Sequence, residues 1–225
     1  KIFIFYDKHM STIVDRFEKI KSKIASFNLN KSVKIIAVSK TFSLDYIQPL
    51  IDYGHTHFGE NKVQETLSKW SEQKKTNKNL KLHMIGKLQS NKAKDAVKIF
   101  DYIHSVDNQK LADVLAKSQI NLNKNLKYFI QVNIGNEIQK SGIPVNDLDG
   151  FYNYCVKEIN LNILGLMVIP PIDQSPQKYF KLLNELNKSL SLDNLSMGMS
   201  ADYIDAVKYG SNFVRVGSSI FGSRS

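Results

Sequence analysis

A lysine that closes a strand-like apolar run is the residue of this 225-residue chain best suited to covalent chemistry. Residues 35–38 are two isoleucines, an alanine and a valine, which predicts a buried strand, and Ser39 and Lys40 follow directly. Desolvation lowers the pKa of a lysine, and a neutral amine attacks an aldehyde to form a Schiff base. The alternative is a strand that surfaces at Lys40 with its ammonium in water, and the stretch alone favours that alternative.

Other apolar runs also end in polar or small residues. The ends of the predicted strands carry Lys40, Asn61, His83 with Gly86, His104, Asn133, Met167, Ser200, and Arg215 with Gly217 and Ser218. This set offers an amine, an arginine and a Gly-Ser-Ser turn whose amides suit a phosphate. It holds no carboxylate cluster, so we expect no metal site. Taken singly, Ser200 is better explained as a helix N-cap and His83 as a hydrogen-bonded core histidine.

Eight short apolar segments must position these residues. They span residues 35–40, 57–61, 82–86, 102–106, 126–134, 163–168, 195–200 and 212–217. Stretches with apolar residues at helical spacing separate them, and the first predicted helix starts at Ser11 or Thr12. This alternation predicts an α/β fold, a single (β/α)8 TIM barrel with its chemistry at the carboxyl ends of the strands. An open doubly wound sheet is the alternative, but no G-x-G-x-x-G follows the first strand.

On one rim of such a barrel, the amine, the arginine and the phosphate-binding turn together favour an aldehyde phosphate as ligand. Pyridoxal phosphate (PLP) fits this description, because it needs a lysine, a phosphate cradle and a partner for its ring nitrogen.

Composition narrows the class of partner. The net charge is +10, but the excess is almost all lysine, with arginine only at Arg16, Arg215 and Arg224. Nucleic-acid readers use more arginine, so we expect no nucleic-acid partner. No apolar run approaches the ~20 residues of a membrane helix, so we expect no membrane contact. The single cysteine, Cys155, indicates a reducing cytoplasm, and we expect a monomer.

The first nine residues differ in character from the rest of the chain. Residues 2–6 are apolar or aromatic, whereas a helix start is predicted just after Met10. We therefore expect residues 1–9 to be a disordered or upstream-extension segment, and residues 10–225 to form one domain.

Several collinear blocks resemble the pyridoxal phosphate homeostasis protein family. They are residues 37–41, 57–61 with 63–65, 83–86 with 88–92, 140–142, 165–167, 195–200, and 214–217 with 221–222. Together they span Ala37 to Gly222, nearly the whole chain. The resemblance implies a barrel like the N-terminal domain of alanine racemase, with PLP held on one lysine. Leu82 and Ser218 depart from the usual family residues, an aromatic and a threonine, without affecting cofactor binding.

The resemblance also implies residue roles. Lys40 would carry PLP as a Schiff base, Ser200, Gly217 and Ser218 would bind its phosphate, and Arg215 would face its ring nitrogen. Asn61, His83 and Met167 would line the ring, and no residue would be catalytic. A guanidinium cannot accept the ring proton, so the ring would be a poor electron sink.

Two function classes are compatible with this resemblance. The first is a non-catalytic carrier that serves PLP homeostasis by buffering PLP or delivering it to apo-enzymes. The second is a PLP-dependent amino-acid racemase or lyase. Racemases with this barrel use a second domain that supplies a catalytic tyrosine, and we expect this chain, which stops at Ser225, to lack it. The carrier is therefore favoured, with weak racemase-like activity left open.

Overall fold

The computed structural model describes residues 2–27, 32–135, 137 and 141–222, with side chains from residue 12 onward. Its strands are β1 Lys34–Val38, β2 His57–Glu60, β3 Lys81–Met84, β4 Tyr102–Val106, β5 Lys127–Asn133, β6 Ile143–Pro144, β7 Ile163–Met167, β8 Asn194–Met199 and β9 Phe213–Val216. Its α-helices are α1 Ile2–Ala25, α2 Leu44–Asp52, α3 Val63–Thr76, α4 Ala93–Ile99, α5 Gln109–Asn121, α6 Leu148–Asn153, α7 Gln177–Ser189, α8 Tyr203–Lys208 and α9 Ser218–Phe221.

All strand pairings are parallel, and they close into a barrel. The sheet runs β4-β3-β2-β1-β9-β8-β7-β5, and a further pairing of β4 with β5 joins its two ends. The two-residue strand β6 pairs with the end of β5 and lies outside this ring. The predicted TIM barrel is therefore confirmed, and each of its strands falls within or beside an apolar segment seen in the sequence.

The hydrophobic core has two layers, as a barrel requires. The larger layer lies between the helices and the outer face of the strands, and includes Ile13, Leu50, Trp70 and Phe180. The smaller layer fills the barrel and consists of Ile36, Tyr102, Phe129, Met167 and Phe213. The barrel is thus packed with side chains, and open space is left at its ends.

Helix α1 begins earlier than the sequence predicted. The expected start was Ser11 or Thr12, whereas α1 begins at Ile2 and continues to Ala25. The sequence indicated the helix through apolar residues at helical spacing that begin at Ile13, and Ile13, Phe17 and Ile20 are indeed buried in the core. The placement of residues 1–9 outside the folded domain stays a prediction. Lys140, in one block of the resemblance, lies outside the described residues.

Candidate functional site

A cavity of about 570 Å³ opens at the carboxyl ends of the strands. Its walls come from both the strand ends and the loops after them. They include Lys40, Asn61, Ser200, Arg215, Gly217 and Ser218, together with apolar side chains such as Val38, Phe42 and Ile169. Six of the eight residues predicted to bind the cofactor therefore line one cavity.

Lys40 stands on a tight turn directly after β1. The Phe42 amide donates to the Ser39 carbonyl at 3.2 Å and closes this turn. Thr41, the next residue after Lys40, has a φ of 70°, in the left-handed region. A β-branched residue is disfavoured there, at a cost of about 1–3 kcal/mol, so the surrounding structure must hold the turn.

A buried network holds this turn from below. The Glu60 carboxylate, which is only 1% exposed, accepts a hydrogen bond from the Ser39 hydroxyl at 2.7 Å. The Lys69 ammonium pairs with Glu60 at 2.6 Å and also donates to the carbonyls of Ser39 (2.9 Å) and Phe42 (3.0 Å). Trp70 Nε1 donates to the same Glu60 oxygen at 3.0 Å. Both ends of the Lys40 turn are thereby tied to α3 and β2.

Backbone amides converge on an oxygen opposite this turn. The amides of Gly217 and Ser219 both donate to Ser200 Oγ, at 3.1 and 3.3 Å. The Ser219 hydroxyl donates to the Ser200 carbonyl at 3.4 Å. Two amides that point at one oxygen form a concavity of the kind that binds phosphate oxygens. Ser200 therefore bonds to the backbone of the 217–219 turn and is not an N-cap of α8.

Arg215 lies buried in the floor of the cavity. Its Nη1 donates to the Ser196 carbonyl (2.8 Å) and hydroxyl (2.7 Å), and its Nη2 donates to the Val168 carbonyl at 2.9 Å. None of the ion pairs among the described residues involves Arg215. Burial lowers the pKa of Arg215 to about 10, while Asp202 acts in the opposite direction. At neutral pH the guanidinium is a cation whose hydrogen-bond acceptors among the described residues are neutral.

Asn61 supplies an unsatisfied acceptor at the wall of the cavity. Its Oδ1 is buried and has no hydrogen-bond partner among the described residues. Gly86 lies against it, since a Cβ at Gly86 would stand 2.6 Å from the Asn61 carbonyl oxygen. Because a buried acceptor is costly when unpaired, Asn61 indicates that a ligand donor belongs in this cavity.

Two predicted site residues lie elsewhere. His83 is fully buried inside the barrel, with His57 and His104 on its two ring nitrogens at 2.9 Å each, so it is a satisfied core histidine. Met167 belongs to the apolar cluster that fills the barrel. Neither residue lines the 570 Å³ cavity, and both are fully buried in the barrel interior.

Metal-binding clusters and membrane-spanning helices are both missing from the described residues. No group of three or more histidines, cysteines and carboxylates could hold a metal ion there. None of the described helices is long and apolar enough to cross a membrane.

Comparison with known proteins decides the family. The family model described as the N-terminal domain of alanine racemase matches residues 10–225. The pyridoxal phosphate homeostasis protein of Aquifex aeolicus is 34% identical over 226 residues, 96% of this chain and 97% of that protein. The protein of the same name from Pasteurella multocida is 38% identical over 203 residues, 86% of this chain and 87% of that protein.

This chain belongs to the pyridoxal phosphate homeostasis protein family. The structure of PipY from Synechococcus elongatus PCC7942 with PLP bound matches with a TM-score of 0.84 and 35% identity, and covers 93% of this chain and 100% of that chain. Alanine racemase of Clostridium difficile matches with a TM-score of 0.74 and 14% identity, and covers 95% of this chain and 57% of that one. The second likeness concerns the fold alone.

The sequence did not reveal the residues that support the site. Glu60 and Lys69 hold the Lys40 turn, and Ser196 holds Arg215, yet no motif singled out these contacts. Glu60 lies within one of the family blocks, and its position at the end of a buried strand was a usable signal. Ser196 also lies within a family block, but its contact with Arg215 joins residues distant in sequence, and Lys69 lies in no block.

Proposed function

We propose that this protein binds PLP in the 570 Å³ cavity and acts as a non-catalytic carrier in PLP homeostasis. The observation that carries the proposal is the meeting of three kinds of group in one cavity: the Lys40 amine, the Arg215 guanidinium and the amides that converge on Ser200. PLP supplies an aldehyde that condenses with an amine with loss of water, a phosphate ester and a pyridine nitrogen. The relatives named for PLP homeostasis and the PLP-bound PipY support the same ligand.

Each residue has a part that depends on its position. Lys40, held by the Ser39–Glu60–Lys69 network, would carry the ligand covalently as a Schiff base. The amides of Gly217 and Ser219, which now donate to Ser200 Oγ, would donate to a phosphate oxygen instead. The Ser200 and Ser218 hydroxyls would be further donors. Asn61 would gain a partner for its unpaired Oδ1 from the ring substituents.

Arg215 disfavours carbanion chemistry of the transaminase kind. It would donate to the ring nitrogen and leave that nitrogen without a proton, because the guanidinium is already protonated. A ring without that proton withdraws less charge from a substrate that loses its α-proton. His83 and Met167 were predicted to touch the ring, but both lie in the barrel interior and would affect the ligand only through neighbouring side chains. The reducing cytoplasm remains our proposed compartment, since the one cysteine, Cys155, is a buried free thiol.

Reconstitution and transfer test this function. Cofactor-free protein titrated with PLP should develop an absorption band at about 420 nm, as expected of a lysine-bound conjugated imine. The loaded protein, freed of excess PLP, should then activate a PLP-dependent apo-enzyme, both in one solution and across a dialysis membrane. A protein that develops no band, or that racemises added alanine rapidly, would contradict the carrier proposal.

A further inference from the structure

A column of hydrogen-bonded side chains crosses the barrel interior and ends on Arg215. His57 Nδ1 contacts His83 Nε2 at 2.9 Å, and His83 Nδ1 contacts His104 Nε2 at 2.9 Å. His104 Nδ1 contacts Ser196 Oγ at 2.8 Å, and Arg215 Nη1 donates to that oxygen at 2.7 Å. The column therefore links the amino end of β2, where His57 lies, to the floor of the ligand cavity.

Packing fixes the rings of the column. His83 stacks on Tyr102 with ring centroids 4.2 Å apart, and His104 stacks on Phe129 at 4.4 Å. His83, His104 and Ser196 are fully buried. Ring flips and water insertion are therefore disfavoured, and the hydrogen-bond pattern should be uniform.

Arg215 sets the direction of every proton in the column. A guanidinium only donates, so Ser196 Oγ accepts from it and has its own proton left to donate. The acceptor available for that proton among the described residues is His104 Nδ1. His104 then carries its proton on Nε2 and donates to His83 Nδ1, and His83 donates from Nε2 to His57 Nδ1.

This hydrogen-bond pattern also stabilises the positive charge of Arg215. Each neutral member turns its acceptor, the negative end of its dipole, towards the guanidinium. Burial lowers the pKa of His83 and His104 well below the usual value, and the Arg215 cation lowers the pKa of His104 further. The column thus offers aligned dipoles where many buried arginines have a carboxylate.

We propose that His104, and through it His83 and His57, are positioning residues for Arg215. They form a neutral column in which every hydrogen bond is donated in the direction away from Arg215. This column fixes the guanidinium and leaves its charge free for the ligand. The column is a property of this chain without ligand. Its effect on PLP rests on the proposed function.

The direct test is the tautomer of each ring in cofactor-free protein. Long-range 1H–15N NMR of the wild type should show His83 and His104 neutral with the proton on Nε2 between about pH 5.5 and 7.5. In Arg215→Met the fixed direction should be lost, and the two rings should show mixed tautomers. An Nδ1-protonated or charged His83 or His104 in the wild type would overturn the proposal.

Variants of His104 test the effect on the ligand. His104→Phe keeps the stack on Phe129 but removes the acceptor of Ser196, and should raise the Kd for PLP about tenfold, equivalent to about 1.4 kcal/mol. The variant should also shift the pH at which the visible absorption band of bound PLP changes. His104→Asn, which keeps an oxygen near the Nδ1 position, should recover most of the affinity.

His55→Gln is the matched control. His55 is a half-buried histidine near the column, and its ring bonds to the His57 backbone carbonyl, at 2.8 Å, rather than to a ring nitrogen of the column. The variant should leave affinity and band unchanged. A His104→Phe protein that matches the wild type in both readouts would refute the positioning role. A wild type that binds no PLP would instead refute the proposed function, with the tautomer result unaffected.

Discussion

The Ser39 hydroxyl donates a 2.7 Å hydrogen bond to the buried carboxylate of Glu60, directly beneath the turn that presents Lys40. The same carboxylate receives the Lys69 ammonium at 2.6 Å. The turn that carries Lys40 is therefore held by an ion pair whose two residues do not line the ligand cavity.

Glu60→Ala should lower the free energy of unfolding by about 3 kcal/mol, because it leaves the largely buried Lys69 ammonium without its counter-ion. Urea denaturation measures this change. Glu65→Ala is the control, since Glu65 pairs with Lys62 at the same 2.6 Å but on the surface. It should change the unfolding free energy by no more than about 1 kcal/mol. Equal effects of the two variants would show that the buried pair does not hold the turn.

Thr41→Gly should leave the unfolding free energy unchanged or raise it by up to about 1 kcal/mol, because glycine relieves the left-handed strain at φ 70°. At an ordinary helical position the same kind of change destabilises. Ser68→Gly, at an exposed position in α3, should cost about 0.5–1 kcal/mol. Denaturation of the two variants side by side decides this prediction, and a clear loss for Thr41→Gly would argue against strain.

Stability should fall as the pH drops from about 6.5 towards 4, because histidines that are neutral when folded take up protons on unfolding. Burial is the main cause of the lowered pKa of His55 and His57, to about 4 each. At His57, Lys34, Lys81 and Lys127 lower the pKa further, and Asp101 opposes them.

The same direction holds for the two fully buried histidines, His83 and His104. Each of them should take up about one proton on unfolding. Each should therefore contribute about 1.4 kcal/mol per pH unit to the slope of the unfolding free energy against pH. Urea denaturation of the wild type and of His104→Phe from about pH 7 to pH 5 measures this pH dependence of the unfolding free energy. The slope for the variant should be smaller by the contribution of one proton. Parallel curves for the two proteins would contradict the buried, neutral state of His104.

Arg215→Glu should raise the exchange of the α-proton of alanine in deuterated water, although exchange stays slow. A carboxylate against the ring nitrogen favours its protonated form, which accepts more of the charge that develops when the α-proton leaves. The effect is limited because the new carboxylate faces the carbonyls of Ser196 and Val168.

Arg215→Gln serves as the control for this variant. It should weaken PLP binding without raising α-proton exchange, because a neutral amide does not hold a proton on the nitrogen. Fast exchange by the wild type, followed by NMR, would move the protein to the enzyme class.

Much of the fold could be predicted, because local patterns encode it. Runs such as residues 35–38 and 163–168 are short, apolar and β-branched or leucine-rich, and each became a strand. The predicted start of α1 was wrong, because the apolar residues at helical spacing that indicated the helix begin only at Ile13. The alternation of predicted strands and helices was sufficient to predict the barrel.

The site was only partly predictable, for a geometric reason. Lys40, Asn61 and Arg215 fall at or near strand ends, which a barrel brings to one rim. His83 and Met167 also belong to barrel strands, but the sequence does not say how deep an inward side chain lies. The hydrogen bond of His104 to Ser196 joins residues far apart in the chain and exists only because the barrel closes.

Covalent attachment of PLP at Lys40 is the central claim, and borohydride reduction followed by peptide mapping tests it most directly. Wild-type protein incubated with PLP, reduced and digested should carry the reduced adduct on the peptide that contains Lys40. Lys40→Ala should fold, keep at most non-covalent PLP and yield no reduced adduct, while Lys87→Ala, which alters the neighbouring cavity, should behave like the wild type. An adduct on another lysine, or one that persists in Lys40→Ala, would contradict the account.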